Sequence, residues 1–267
     1  MVNYILIDGS YFMFFRYYAI VQWYKLSKRE PPLDQENPIN NKIFMDKFIS
    51  TFQSKMKEIP TKLKLENNVI IVGKDCHRKD IWRMNIFKEY KANRVYDDTF
   101  LGGPVFKSVW EKELFIKGGA DKIFSHPSLE ADDCIAITTK HILSLYPEAN
   151  VYIITSDMDY LQLASDNVHL YNLKFKKLTD SKNSFKNAKK DLFCKMLMGD
   201  KSDNIPNVFK KCGIKTACKY WDSFDEWNKR LLDDEIKKTF ERNRILIDFN
   251  YIPEDLIKEF KHNNIYS

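Results

Sequence analysis

No Cys-x-x-Cys pair occurs among the five cysteines, and the five histidines are scattered, which disfavours a zinc centre. Unpatterned thiols in a chain of 267 residues point to a reducing compartment and not to a disulfide framework. A run of about 18 apolar residues, the length a membrane span needs, is nowhere found. The short apolar start is interrupted by Asp8, unlike a secretory leader. Internal repeats and a low-complexity tail are lacking too. These absences predict a soluble, intracellular, monomeric protein. At 44% hydrophobic and 30% charged, it is long enough for one large domain or one plus a small appendage.

What is abundant is acid at particular places. Ser128 to Leu163 reads SLEADDCIAITTKHILSLYPEANVYIITSDMDYLQL. Ser128 is a candidate N-cap, the apolar spacing predicts a helix that Pro147 stops, and Val151 to Thr155 is a short buried strand. Glu130 and Asp133 then share one face of the first helical turn, and Asp157 and Asp159 lie just past the strand's carboxyl end. Either cluster alone could simply complement a helix N-terminus. The pattern recurs, however, for Tyr4 to Ile7 ends in Asp8 and Val69 to Val72 is followed by Asp75. In parallel α/β sheets that strand edge is where ligands bind. Two carboxylates about 4 Å apart repel by roughly 4 kcal/mol at an effective dielectric near 20, so such a cluster needs cations. All-oxygen donors without His or Cys select hard ions such as Mg2+ or Mn2+, and a pair of them held by carboxylates suits phosphodiester hydrolysis.

Positive charge is distributed to match. The net charge is +6, yet Lys174 to Lys219 alone carries 13 lysines against four aspartates, so phosphate-binding charge is concentrated outside a slightly acidic remainder. Lys74 to Arg94 holds seven Lys or Arg against three acids, and Arg83, Phe87, Tyr90, Lys91 and Arg94 recur at helical spacing beside the Asp75 strand end. An exposed basic helix is the plain reading; gripping a scissile phosphate is the functional one. Phe44, Phe48, Phe52 and Met56 form a core stripe. The segment YFMFFRYYAIVQWY after Ser10 is apolar or aromatic nearly all round, a core helix, with the alternative that some rings stack on a nucleic-acid end and Arg16 meets a phosphate. Further strands are expected at Ala120 to His126 and Val168 to Leu173, and helices at Phe100 to Lys117 and from about Lys189 to Met198. In GDKSDNIPNVFKKCGIKTA, Asp200 and Asp203 flank a turn, and a loop through Gly213 leads into a helix able to offer N–H groups and lysines to a DNA backbone.

LIDGSYFMFFRYYA, DCHRKDIWR with YKANR, LEADD, ITSDMDYLQL and GDKSDNIP, in this order over nearly the whole chain, resemble the 5'-nuclease superfamily of flap endonucleases and 5'-3' exonucleases. NRILIDFNYIP adds a likeness to the T-even phage ribonuclease H type. The resemblance implies an α/β fold: a central, mostly parallel sheet flanked by helices, with a helical arch near 76–98 in a core of 1–173. Residues 174–267 would form a C-terminal helical region with a helix-two-turn-helix motif packed on that core. It implies metal-site positions at Asp8, Asp75, Glu130, Asp132, Asp133, Asp157, Asp159 and Asp203, with Asp200 in an outer shell. Arg83 and Lys91 match the basic pair that holds the scissile phosphate. Arg16, Arg78, Lys79, Tyr90, Arg94, Lys210, Lys211, Gly213, Lys215 and Thr216 are the candidate nucleic-acid contacts. Lys211 stands where the family has glycine, which puts a K+ site in that loop in doubt.

The implied activity is a two-metal, structure-specific 5' nuclease. Its partners would be branched or nicked duplex DNA, 5' flaps and RNA–DNA hybrids, in host cytoplasm or nucleoid if viral. No membrane is implied, and a sliding clamp or single-strand-binding protein is left open. The competing readings are a PIN-type ribonuclease, which is usually shorter and lacks GDKSDN, and a non-catalytic branched-DNA-binding protein, which would not need the acid set.

Overall fold

The computed structural model describes residues 2–33, 37–94 and 99–266. Five strands, β1 (Asn3–Asp8), β2 (Asn68–Lys74), β3 (Lys122–Ser125), β4 (Asn150–Ile154) and β5 (Val168–Tyr171), form one sheet in the order β3-β2-β1-β4-β5. Every pairing is parallel. A parallel sheet is covered on both faces, so its strands read as near-continuous apolar runs, and Ile5, Leu6 and Ile7 are all fully buried. Ile5 and Ile7 face one side with α1 (Gly9–Leu26), α2 (Lys42–Leu63), α4 (Gly103–Glu111) and α5 (Leu114–Lys117), the last two following the short α3 (Arg83–Ile86). Leu6 faces the other, against α6 (Ala131–Leu145). Phe44, Phe48, Phe52 and Met56 of α2 are wholly buried, as their spacing predicts.

The chain fills the sheet from β1 outward through β2 to β3, then crosses back to β4 and β5. Strand order therefore reverses between β1 and β4, the crevice where open α/β sheets place ligands. Register brings Asp8 level with Gly73 and Ile7 level with Ile154, so the residues after all three strand ends meet at one edge. A Cβ on Gly73 would sit 2.9 Å from the Ala131 carbonyl and 3.0 Å from Ile135. The missing side chain is what lets α6 lie directly on the end of β2.

Beyond β5 the chain forms α7 (Ala188–Met198), α8 (Ile214–Asp222), α9 (Phe224–Arg230), α10 (Asp234–Ile247) and α11 (Glu254–Asn264). Helices α7 to α10 build their own apolar cluster around Phe193, Trp227 and Phe240, shared with Ile81 and Tyr90. Phe249, Ile252 and Phe260 return to the α6 side of the sheet. Among the described residues no helix is long and apolar enough to cross a membrane.

Three local expectations are corrected. The N-cap of α6 is Glu130, not Ser128; the Asp133 carboxylate accepts the Glu130 N–H at 3.2 Å, which satisfies an otherwise orphaned donor. The helix expected over Phe100 to Lys117 is broken in two by Glu113, in the left-handed region at φ 53°. Residues 76–94 do not form the continuous helix that their spacing predicts, but a 3-10 turn, the four-residue α3 and further turns. Their side chains find buried partners instead: Tyr90 joins the α7–α10 cluster, and the Lys91 N–H bonds the Asp203 carbonyl at 2.8 Å. Residues 95–98 of the expected arch lie outside the described residues.

Gly73→Ala is expected to force α6 off β2 and to cost about 1–3 kcal/mol, the usual range for overpacking. A lower urea midpoint with an unchanged slope checks it; an unmoved midpoint would show that α6 yields freely.

Candidate active site

At the β1–β4 crevice the carboxylates of Asp8, Asp75, Glu130, Asp132 and Asp157 line an open cleft of about 300 Å³, with Ser10, Tyr11 and Phe14 of α1 on one wall and Lys91 and Arg94 on another. Each acid has a local reason for its place. Asp8 ends β1 and caps α1, accepting the Tyr11 N–H at 2.9 Å. Thr155, just past β4, donates its hydroxyl to Asp8 at 3.3 Å and accepts the Asp157 N–H at 3.1 Å, tying the two strand ends together. Asp75 receives the Ser10 hydroxyl and the Ala131 N–H, the latter at 2.8 Å.

Asp133 is different. It is wholly buried, and Arg83 clasps both its oxygens at 2.7 and 2.8 Å while the Trp82 indole N–H donates at 2.9 Å. Arg83 also reaches Glu130 at 3.1 Å and the Leu246 carbonyl at 2.8 Å, and only 2% of it is exposed. The expected phosphate contact by Arg83 is therefore corrected: its donors are consumed inside, where it fixes Glu130 and Asp133 relative to α10. Asp133 is correspondingly an anchor whose lone pairs are largely taken. Lys91 pairs with Glu130 and lies 3.7 Å from Asp203, at the cleft wall. Its backbone is held at φ 56°, a left-handed conformation that costs energy in a non-glycine residue and is found preferentially at functional sites.

A second acidic group, Asp159, Asp200 and Asp203, brings one carboxylate oxygen from each within 4.8 Å of the others, as do Glu130, Asp132 and Asp133. The turn carrying Asp200 and Asp203 is closed by reciprocal backbone bonds between Asp200 and Ile205 at 2.8 and 2.7 Å. It starts at Gly199, with φ 65° and no room for a Cβ beside the Ile205 carbonyl. The Tyr90 hydroxyl sits between the groups, 2.9 Å from Glu130 and 3.1 Å from Asp203.

The electrostatics divide the acids. Burial drives Glu130 up, but Lys91 and Arg83 outweigh it and hold the carboxyl below its ordinary range. Lys195 does the same for Asp200 and lies 2.6 Å from Asp159. On the open side, Asp8 is pushed up to about 7 by burial and by Asp75 and Asp157. Asp159 rises to about 7 through burial and Asp157, and Asp132 rises through burial and Asp133. Among the described residues no cation lies within ion-pair distance of Asp8, Asp75 or Asp157. That uncompensated oxygen set is what a hard divalent cation requires, so the residues fit Mg2+ or Mn2+.

The other candidates scatter. Arg94 pairs with Asp203 at 2.6 Å, donates its Nε–H to the Ser202 carbonyl at 3.2 Å and lines the cleft, about half exposed. Arg78 is spent on the carbonyls of Lys91 and Arg94, and Lys79 is exposed on the same turn. Tyr90, at 2% exposure, cannot stack on a base, which corrects that expectation. Arg16 is half-buried against Phe15 and outside the cleft. Lys210, Lys211 and Gly213 are exposed on the α7–α8 loop, Lys215 is exposed on the first turn of α8, and Thr216 beside it is partly so. Lys211 has φ 60°, the left-handed geometry a glycine adopts freely. Sequence reasoning missed Ser10, Thr155, Trp82 and Lys195; the one signal for Lys195 was a lone cation inside the apolar run Leu192–Met198.

Arg83→Met is expected to lower stability by about 3–5 kcal/mol, because it strands buried carboxylates, and Arg83→Met with Asp133→Leu should recover much of that loss. Urea unfolding of both variants decides it: an Arg83→Met protein as stable as the wild type would return Arg83 to an outward role.

The family model for the 5'-3' exonuclease N-terminal resolvase-like domain matches residues 3–191. The 5'-3' exonuclease of Buchnera aphidicola subsp. Schizaphis graminum (strain Sg) is 32% identical over 220 residues, 80% of this chain and 67% of that protein. Ribonuclease H of Enterobacteria phage T4 is 28% identical over 213 residues, 70% of this chain and 66% of its own length. The fold is that of the phage T5 D15 protein co-crystallised with metal ions, with a TM-score of 0.65 at 19% identity over 98% of this chain and 97% of that one. The D15 flap endonuclease in a pseudo-enzyme-product complex with DNA and metal ions scores 0.63 at 17% identity, with the same coverage. The matched segment runs from β1 past β5 into α7 and carries the acids at three strand ends, and the chain belongs to the 5'-3' exonuclease family.

Proposed function

We propose that the protein is a structure-specific 5' nuclease dependent on two divalent ions, hydrolysing phosphodiester bonds in DNA flaps, nicked duplexes or RNA primers during replication. The observation that carries the reading is the open side of the cleft, where Asp8, Asp75 and Asp157 converge without a counter-cation while Lys91 and Arg94 stand on the facing wall. Asp8, Asp75, Glu130, Asp132 and Asp157 would hold one ion; the other would lie at Asp159, Asp200 and Asp203, with Asp157 between, and would have to displace Lys195 and Arg94, which pair with them in this structure. When bound, such ions lower the pKa of a coordinated water and stabilise the leaving oxyanion. The chain's own residues orient the target. Arg94, held by Asp203 and the Ser202 carbonyl with Nη1 left over, would offer that nitrogen to the scissile phosphate, and Lys91 adds positive charge behind it. Arg83 acts through Glu130 by holding its carboxylate in place. No protein nucleophile is needed.

The same reading treats 1–173 as the nuclease core and 174–267 as the region that grips duplex DNA through the α7–α8 loop and the first turn of α8, with Lys210, Lys211 and Lys215 on phosphates. K+ binding in that loop is disfavoured by Lys211. The metal-bound and DNA-bound D15 structures support both assignments by fold.

Asp157→Ala should abolish Mg2+-dependent cleavage of 5'-flap, nicked and RNA-primed duplexes while duplex affinity stays unchanged. Unaltered cleavage at saturating Mg2+ removes the assignment, and cleavage confined to single-stranded RNA would favour a PIN-type ribonuclease.

A pH dependence follows from the raised acids. With Asp8 and Asp159 held near 7 against an ordinary value near 4, the metal-free folded state binds more protons than the unfolded chain between those values, so stability falls as pH rises through that window. Mg2+ must displace those protons and should bind more tightly at pH 8 than at pH 6. Thermal unfolding in chelator against Mg2+, with calorimetry in buffers of different ionisation enthalpy, should show proton release at pH 6 that fades by pH 8.

A further inference from the structure

No residue of the NRILIDFNYIP segment, 243–253, lines the cleft among the described residues, yet three acid-bearing segments are fastened to it. Asn243, Leu246 and Ile247 lie in the last turns of α10. Asn243, fully buried, donates its amide hydrogens to the carbonyls of Met196 and Pro206 at 3.0 and 2.8 Å, one on each side of the turn that carries Asp200 and Asp203. The Leu246 carbonyl accepts the Nε–H of Arg83 at 2.8 Å, and the other donors of Arg83 hold Glu130 and Asp133. The Ile247 carbonyl accepts a side-chain N–H of Gln162 at 3.0 Å. The same nitrogen donates to the Asp159 carbonyl at 2.9 Å, and Oε1 of Gln162 accepts the Phe249 N–H at 2.9 Å. Asp159 in turn gives its N–H to the Asp157 carboxylate at 2.9 Å. Two carbonyls face the amide nitrogen and an N–H faces its oxygen, so one orientation alone suits all three partners.

We infer that the end of α10 is a strut that fixes the spacing between the two groups of acids, and that Gln162 is the positioning residue through which it holds Asp157 and Asp159. The inference rests on the two-ion nuclease reading, which gives that spacing its purpose. The last four carbonyls of a helix have no partner within it, so the end of α10 offers acceptors at fixed positions to side chains from elsewhere. Arg83 and Gln162 take two successive ones. Carboxylates gathered without cations repel one another, and loops alone would let them drift apart. Fastened from behind to a third element, they keep their separation whether or not ions are bound. The corner after α10 is itself held: Lys140 of α6 donates to the Phe249 carbonyl at 2.8 Å and to the Asn250 side chain at 2.9 Å, and the buried rings of Tyr160 and Phe249 lie 6.1 Å apart. Groups that orient metal ligands without touching the ion typically change its affinity by about 10–100-fold when removed.

The test titrates Mn2+ calorimetrically into the full chain and into Gln162→Met, Gln162→Glu and Phe260→Leu, with urea midpoints and cleavage of a 5'-flap duplex measured alongside. Gln162→Met keeps the size of the side chain and removes its three bonds. It should weaken the second Mn2+ equivalent about tenfold and lower kcat at a fixed, limiting Mn2+ concentration, with KM for the duplex unchanged. Gln162→Glu keeps the acceptor for the Phe249 N–H but turns a carboxylate onto two carbonyls, and should weaken that equivalent at least as far. Phe260→Leu thins the apolar cluster that Phe249 belongs to; it should lower the urea midpoint and leave both Mn2+ affinities alone. Wild-type Mn2+ affinities in both Gln162 variants overturn the strut. So does a Phe260→Leu protein weakened as much as Gln162→Met, which would reduce the effect to general loosening, or a wild type that takes up a single Mn2+. A wild type that binds two Mn2+, loses the second in the Gln162 variants and yet cuts no substrate leaves the strut standing and overturns the nuclease reading, so the two failures are distinguishable.

Discussion

Mutual repulsion among carboxylates, compensated on one side of the site and not on the other, is the constraint from which the rest of the structure follows. Each close pair costs roughly 4 kcal/mol at an effective dielectric near 20. The chain answers with cations on the side away from the strand ends: Arg83 on Asp133 and Glu130, Lys91 on Glu130, and Lys195 on Asp159 and Asp200. Towards the cleft, Asp8, Asp75 and Asp157 receive only neutral donors from Tyr11, Thr155, Ser10, Ala131 and Asp159. Neutral donors orient a carboxylate without cancelling its charge. The inner cations thus set geometry, and the missing outer ones leave a site that only an external cation completes.

That division explains what could be read in advance. All five strands and the strand-end acids were legible, because a buried parallel strand is an apolar run whose end is marked by the first acid, as at Ile7–Asp8 and Ile154–Asp157. The α2 stripe was legible for the same reason of periodicity. Arg83 was not: a cation near acids has the same spacing whether it points to solvent or into the protein, and only the neighbours Trp82, Asp133 and the Leu246 carbonyl, 163 residues away, decide which. Tyr90 failed likewise, its hydroxyl being claimed by two acids from distant segments. The α6 cap was misread because serine is the commoner N-cap, whereas Glu130 takes that position here with Asp133 bonding back to it.

The segment 76–94 is where local preference lost to tertiary pairing. Its basic and aromatic residues have helical spacing, but a helix there would have carried Tyr90 and Lys91 away from Glu130 and Asp203. Turns, with Lys91 held at φ 56°, put both side chains on those carboxylates. Strain of that kind persists only when surrounding contacts over-determine it, and the bonds from Lys91 to Asp203, Asn93 to the Lys201 carbonyl and Asn204 to the Glu89 carbonyl supply those contacts.

Those same bonds join the two halves of the proposed mechanism. Residues 89–94 are laced to the turn at 200–205, and that turn begins the link between α7 and α8, which presents Lys210 and Lys211 outward, with Lys215 on the first turn of α8. Asn243, fully buried, ties the Met196 and Pro206 carbonyls at 3.0 and 2.8 Å, so the turn cannot shift independently of α7 and α10. A duplex seated on the α7–α8 loop would therefore bear on the backbone that carries Asp200 and Asp203, and through Asp203 on Lys91 and Arg94 at the cleft wall. On the proposed function, substrate grip and acid geometry would share one turn, and correct seating of the duplex would then be a condition for correct placement of the charges facing its phosphate.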